Sequence, residues 1–285
     1  MMANSLRNKT ILDNAIGVFD SGIGGLSVLT EIRKSIPRAN LIYFGDQAHV
    51  PYGPRPLEQV QQFSIAISKF LMAQGAKMIV VACNAASAAS LKELRRLFPQ
   101  VPIVGMEPAV KPAAEQTLSG AVGVLATPAT FQSELYASVV ERFANGVNVF
   151  QSTCPGLVNE IESGNFAGEK TRKILEEALL PMLANKIDSV VLGCTHYPYV
   201  LSIVKSIVGP DVRVINPAPA VAKQTAKLFG QLVGASYTNP VPVTEIITSA
   251  DKQKLIETIR EFFPFENHIS NAKWVGPSLI ANVTQ

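Results

Sequence analysis

Apolar residues fall along this chain in short runs that break at glycine or proline and then give way to helix-spaced patterns. Residues 15–19 (AIGVF) form the first run, which stops at Asp20-Ser21-Gly22-Ile23-Gly24-Gly25. Residues 26–29 then open a helix-compatible pattern. A strand, a glycine-rich turn and a helix in that order begin a β–α unit. Residues 42–44 predict a second strand, ending at Gly45-Asp46. The segment 50–56 predicts a loop, because Pro51, Gly53, Pro54 and Pro56 exclude regular structure. Helical spacing returns over 57–73. A third strand is predicted over 78–83, a helix over 85–98 closed by Pro99, and a fourth strand over 102–106 ended by Glu107-Pro108.

The pattern then restarts. Residues 121–125 (AVGVL) match 15–19 at Ala, Gly and Val. Thr127 falls where Ser21 does, and Ser133 where Ser27 does. The apolar runs that end at Cys83 and Cys194 occupy corresponding places, so the chain carries a weak internal repeat of about 110 residues. Further on, the sequence predicts a strand over 212–215, a crossover at 216–219, a helix over 220–232, a strand from 245 leading to an N-cap at Asp251, and a helix over 252–263. Strand–helix alternation predicts an α/β fold of two similar domains with mainly parallel sheets, related by pseudo-twofold symmetry, with the site at the domain interface. The expected first domain is 15–108 with 218–285, since the tail is too short for a third domain. The expected second domain is 109–217, and 1–14 is a polar N-terminal extension. Trp274 is expected to be a core anchor rather than a ligand contact.

Composition narrows the function classes. The net charge is only +3, with Lys and Arg scattered, which gives no electrostatic footprint for nucleic acid. There are three cysteines, Cys83, Cys154 and Cys194. Their odd number and the lack of a C-x-x-C pair argue against a disulfide framework or a zinc site. No apolar run approaches the roughly 18–20 residues that span a bilayer, and the N-terminus lacks the apolar core of a signal peptide. A soluble protein of the reducing cytoplasm, with no membrane contact, is expected.

The candidate chemistry lies where the two copies end their central strands. One copy ends Val80-Val81-Ala82-Cys83-Asn84, the other Val191-Leu192-Gly193-Cys194-Thr195-His196. A single buried cysteine is usually inert filler. Two in equivalent positions, each expected at a helix N-terminus that lowers a thiol's pKa, suggest a pair of acid–base groups. His196 can tune or relay a proton. Cys154 lies outside the repeat and is expected to be inert. His49 and His268 are expected to be surface or packing residues. The Asp20–Gly25 turn offers backbone N–H groups to an anion, or is simply a tight turn with Asp20 as a cap. It is neither a G-x-G-x-x-G nor a G-K-[ST] motif. No pyridoxal phosphate context, dinucleotide fingerprint or G-x-S-x-G elbow is present. Two thiols on opposite faces of one carbon would invert a stereocentre without a cofactor.

With Asp20-Ser21-Gly22, Gly45-Asp46, Pro51-Tyr52-Gly53, Ala82-Cys83-Asn84, Thr248-Ser249-Ala250-Asp251 and above all Gly193-Cys194-Thr195-His196-Tyr197-Pro198, the sequence resembles the bacterial glutamate racemases over residues 15–270. The resemblance implies interconversion of L- and D-glutamate without a cofactor, supplying D-glutamate for peptidoglycan, by a protein expected to be a homodimer. It implies that Cys83 takes the α-proton of D-glutamate with help from Asp20, and Cys194 that of L-glutamate with help from His196. Ser21, Asn84 and Thr195 would hold the amino and carboxylate groups, and backbone at Tyr52-Gly53 and Asn84-Ala85 a carboxylate. Asp20 and His196 would also border the substrate, with Glu162 and Asp46 as support. One departure is Ala85, where these enzymes usually carry Thr or Ser. The lost hydroxyl contact to a charged group is worth about 1.5–3 kcal/mol unless Ser87 or a water replaces it. The rivals are an aspartate or hydantoin racemase of the same superfamily, and a regulatory protein binding DNA gyrase on the same scaffold. The histidine in G-C-T-H favours glutamate, since the aspartate enzymes resemble G-C-T-E there.

Overall fold

The computed structural model describes residues 12, 14–234, 237–260, 262 and 268–281. The first half runs β1 (Ala15–Asp20), α1 (Leu26–Ser35), β2 (Leu41–Gly45), α2 (Leu57–Ala73), β3 (Ala76–Val81), α3 (Asn84–Leu97), β4 (Ile103–Gly105) and α4 (Val110–Gln116). The second half runs β5 (Ala121–Ala126), α5 (Pro128–Phe131), α6 (Glu134–Phe143), β6 (Asn148–Ser152), α7 (Leu157–Glu162), α8 (Glu169–Ala184), β7 (Ser189–Gly193), a 3-10 turn at Tyr197–Val200, α9 (Leu201–Val208), β8 (Arg213–Ile215) and α10 (Ala218–Val233). The tail adds β9 (Thr244–Thr248), α11 (Lys252–Ile259), β10 (His268–Val275) and β11 (Ser278–Ala281).

Two sheets result, and they repeat one topology. The first has the order β11-β10-β9-β2-β1-β3-β4 and the second β6-β5-β7-β8. Within each repeat the strands lie second, first, third, fourth, all parallel. The chain leaves the first strand toward one edge and returns to its other side. That reversal opens a crevice at the carboxyl ends of β1 and β3, and another at those of β5 and β7. The central strands are apolar on both faces because helices cover both. All of β1 is buried, and so is β3 apart from Lys77. The tail strands extend the first sheet: β9 pairs with β2, and β10 with β9, both in parallel. The α10 helix packs along α1.

One apolar cluster joins the halves, with Val18, Leu26 and Val28 from the first and Leu157, Leu192 and Tyr197 from the second. The expected strands and helices are present with ends shifted by a few residues. No element is predicted for the stretches that form helices α4 to α9 and strand β6. Strand β6, for example, is a half-exposed edge, so it carries no continuous apolar run. Residues 1–11 and 13 of the expected extension, and 261 and 263 of the last predicted helix, lie outside the described residues. Trp274 departs from expectation. It is only half-buried, and its indole N–H donates to Asp46 Oδ1 at 2.8 Å.

Candidate active site

The two crevices face one another. Asp20 ends β1, and its carboxylate is fully buried. Oδ2 accepts the N–H groups of Gly22 at 3.2 Å and Gly25 at 3.0 Å, while the Ile23 N–H goes to Glu162 Oε1 at 2.8 Å. The glycine-rich turn therefore does bind anions, but they are the protein's own carboxylates. Its glycines serve close approach. A Cβ on Gly22 would stand 1.9 Å from Glu162 Oε1, and one on Gly24 would stand 2.5 Å from His196 Nδ1.

Cys83 stands two residues beyond β3 as the N-cap of α3, and its sulfur accepts the Ala86 N–H at 3.5 Å. The helix end does not lower this thiol as expected. Burial pushes it well above its usual range, the neighbouring Asp20 charge adds to that, and the Ala86 N–H offsets only part. Burial also raises Asp20, against the attraction of His196 and its hydrogen bonds with Cys83 and Gly25.

Cys194 directly follows β7 and leads into a 3-10 turn instead of the α-helix that repeat symmetry predicted. Its proton partner is a side chain. His196 Nδ1 lies 3.7 Å from the sulfur, and Nε2 lies 2.6 Å from Glu162 Oε1. Burial works against a charged His196, but its hydrogen bonds with Cys194 and Glu162 prevail and raise it well above the usual histidine value. Burial likewise works against the Glu162 carboxylate, yet bonds from His196 and Ile23 hold it below its ordinary value. The site thus contains a relay from Cys194 through His196 to Glu162, and Glu162 in turn caps the first half's turn. Thr195 makes a second bridge: its hydroxyl donates to Asp20 Oδ1 at 3.3 Å, and its carbonyl accepts from Ser27 Oγ at 3.2 Å.

A narrow cavity of about 20 Å³ is walled by Cys83 and Cys194 together with Ser21, Tyr52, Gly53, Asn84, Ala85, Thr195 and His196. Pro51, Thr127 and Val158 complete it. A wider outer space of about 240 Å³ adjoins it, sharing Pro51, Gly53, Thr127 and Val158. Asn84 is buried, and neither its Nδ2 nor its Oδ1 has a hydrogen-bond partner. A buried amide with both ends open is a ready ligand for a polar guest.

Three predicted residues stand behind the cavity wall. Asp20 backs Cys83 and is shut off by Gly22, Gly25 and Thr195, so it does not border the cavity. Glu162 backs His196. Asp46 accepts the Tyr52 hydroxyl at 2.6 Å and so fixes the 51–53 loop. Ser87 cannot replace the hydroxyl missing at Ala85, because its Oγ is engaged with the Val81 carbonyl at 3.1 Å and the Met106 N–H at 2.9 Å. Thr127 and Val158 wall the cavity without having been assigned to the site; for Thr127, its alignment with Ser21 in the repeat was the available signal. Cys154 borders only the outer space, and burial pushes it up to about 12. His49 stacks on Phe63 with ring centroids 4.1 Å apart. His268 begins β10 exposed to solvent. Among the described residues, no cluster of His, Cys, Asp and Glu could hold a metal ion, and no helix is long and apolar enough to cross a membrane.

Comparison with known proteins gives a consistent picture. The model of the Asp/Glu/Hydantoin racemase family matches residues 17–225. A glutamate racemase of Ectopseudomonas mendocina is 47% identical over 240 residues, covering 84% of this chain and 91% of that protein. The crystal structure of glutamate racemase isoform RacE1 from Bacillus anthracis superposes with a TM-score of 0.83 at 31% identity, covering 94% of this chain and 99% of that one. The Escherichia coli glutamate racemase, solved in complex with L-glutamate and the activator UDP-MurNAc-Ala, superposes with a TM-score of 0.81 at 31% identity, covering 93% and 100%.

Proposed function

The chain belongs to the Asp/Glu/Hydantoin racemase family, and on that premise we propose its chemistry: it is a glutamate racemase that moves the α-proton of glutamate between two thiols without a cofactor. The observation that carries this reading is one cavity walled by Cys83 from the first half and Cys194 from the second, each backed by a different buried proton group. The relatives' names and the E. coli complex with L-glutamate support the substrate.

With L-glutamate, the Cys194 sulfur removes the α-proton as a thiolate paired with the His196 imidazolium, and Cys83 delivers its thiol proton to the opposite face. The raised value of Cys83 suits it to start as the protonated partner. With D-glutamate the roles reverse. Asp20 holds the Cys83 proton while the Cys83 sulfur takes the α-proton, and Cys194 delivers. His196 and Asp20 thereby make the two directions chemically distinct, although the thiols are related by the repeat. Ser21, Thr195 and the open amide of Asn84 hold the amino and carboxylate groups. Backbone N–H groups at Tyr52-Gly53 and Asn84-Ala85 hold a carboxylate. Residues 15–108 with 218–285 form one domain and 109–217 the other, and their separation admits substrate from the outer space. The protein works in the cytoplasm as a homodimer, supplying D-glutamate for peptidoglycan.

The test is solvent exchange. In D2O, each glutamate enantiomer is expected to gain deuterium at Cα while the opposite enantiomer forms, read by mass spectrometry and circular dichroism. Turnover of aspartate without exchange or racemisation of glutamate would overturn the substrate.

A further inference from the structure

We infer that Trp274, on a hairpin outside the active site, is a positioning residue for the substrate's carboxylate: through Asp46 it fixes the loop that carries Tyr52 and Gly53. This rests on the reading above, in which the Tyr52-Gly53 backbone receives a carboxylate.

Three strand ends of the first sheet converge on one carboxylate. Asp46 is the residue after β2, Ser249 the residue after β9, and Trp274 lies on the part of β10 that runs past β9 and pairs only with β11. Oδ1 of Asp46 accepts the Ser249 hydroxyl at 2.7 Å and the Trp274 indole N–H at 2.8 Å. Oδ2 accepts the Tyr52 hydroxyl at 2.6 Å and faces His49 Nδ1 at 2.9 Å. The carboxylate is fully buried, so each of its oxygens is satisfied only by these groups.

Tyr52 is buried, and its residue and the next wall the catalytic cavity. Across the interface, the Gly53 carbonyl accepts the Ala129 N–H at 3.1 Å. The loop is thus held from both sides, by Asp46 within its own half and by Ala129 from the other. If the Oδ1 donors are removed, one buried oxygen of Asp46 is left without a partner, and the carboxylate that Tyr52 donates to is held from the Oδ2 side alone. Packing does not account for the tryptophan on its own. Its ring meets His49 and Phe63 on one side, at centroid distances of 5.1 and 5.4 Å. Its other side borders an open groove of about 740 Å³ between α2 and the β10–β11 hairpin. A phenylalanine keeps an aromatic ring beside His49 and Phe63 while removing the N–H together with part of the indole's volume.

The experiment is steady-state kinetics of Trp274→Phe and Ser249→Ala with both glutamate enantiomers, alongside Asp46→Asn and the Asp46→Asn/Trp274→Phe pair. The expected result is a KM raised about threefold to tenfold for both enantiomers, with kcat within about twofold of wild type, because a fixed binding group is loosened and no proton-transfer group is touched. In the Asp46→Asn background, Trp274→Phe should add little, since both act on one contact. An unchanged KM in Trp274→Phe and Ser249→Ala, or fully additive effects in the pair, would overturn the proposal. Failure of the functional reading has a different signature: the wild-type chain itself would not turn over glutamate.

Discussion

At the scale of single residues, chemistry here is set less by what each side chain is than by what stands behind it. Cys83 and Cys194 occupy equivalent repeat positions, yet one is backed by a buried carboxylate and the other by an imidazole–carboxylate pair. As the two proposed proton-transfer groups they are tested one at a time: Cys83→Ser and Cys194→Ser are each expected to lower racemisation by about a hundredfold or more, measured by circular dichroism of glutamate. Wild-type rates in either variant would disprove the two-base assignment. Glu162 stands behind His196, with Oε1 2.6 Å from Nε2. Glu162→Gln removes the charge that helps keep His196 protonated, so the His196 value falls. The alkaline limb of the kcat/KM profile should then move to lower pH, with the rate down about tenfold to a hundredfold. Because enantiomers are equal in free energy, that profile must be the same for both substrates. Ala85→Thr tests the missing hydroxyl. A lower KM is expected, since Ser87 is fully engaged elsewhere and does not fill the role.

At the scale of elements, the β1–α1 turn is the contact that assembles the site. Its glycines bring the backbone against Glu162 and His196, where any Cβ would collide. Gly22→Ala is therefore expected to force the halves apart and abolish most activity, read by the same racemisation assay. Gly230 supplies the contrast. It lies inside α10, where a Cβ would meet nothing within 4 Å outside the helix's own backbone. Gly230→Ala should stabilise by about 0.5–1 kcal/mol through helix propensity, raising Tm by a few degrees in a thermal melt with activity retained. At this scale most of the pattern was readable in advance. Apolar runs ending in glycine, proline or cysteine are local signals, and they marked the strands of both repeats. Edge strand β6 was not legible, because a half-exposed edge carries no continuous apolar run; helices α6 and α9 are amphipathic, and their apolar spacing was an available signal.

At the scale of the whole molecule, two sheets of one topology meet through a shared apolar cluster, and two buried ion-pair partners lie at that meeting. Stability should follow their titration. The folded value of His196 lies above its ordinary 6.5, so its contribution is complete below that value and lost as pH rises through the folded one. The folded value of Glu162 lies below its ordinary 4.5, so its contribution is present above that value and lost as pH falls through the folded one. A plot of Tm against pH should show a plateau between these losses. In Glu162→Gln the acid-side loss assigned to this pair should vanish and the alkaline loss should begin at lower pH. An unchanged Tm profile would mean that the pair contributes nothing to the fold.

The sequence by itself determined the alternation of strands and helices, the repeat and the placing of a thiol at the end of each central strand. These follow from periodicity and turn chemistry, which act over a few residues. Only the tertiary structure decided which groups became proton partners. Glu162 reaches Ile23 across 139 positions, and Trp274 reaches Asp46 across 228. It also reversed one local expectation. A helix end favours a thiolate at Cys83, but burial beside Asp20 raises that thiol instead. Desolvation depends on everything packed around a group, and the two halves supply that packing together.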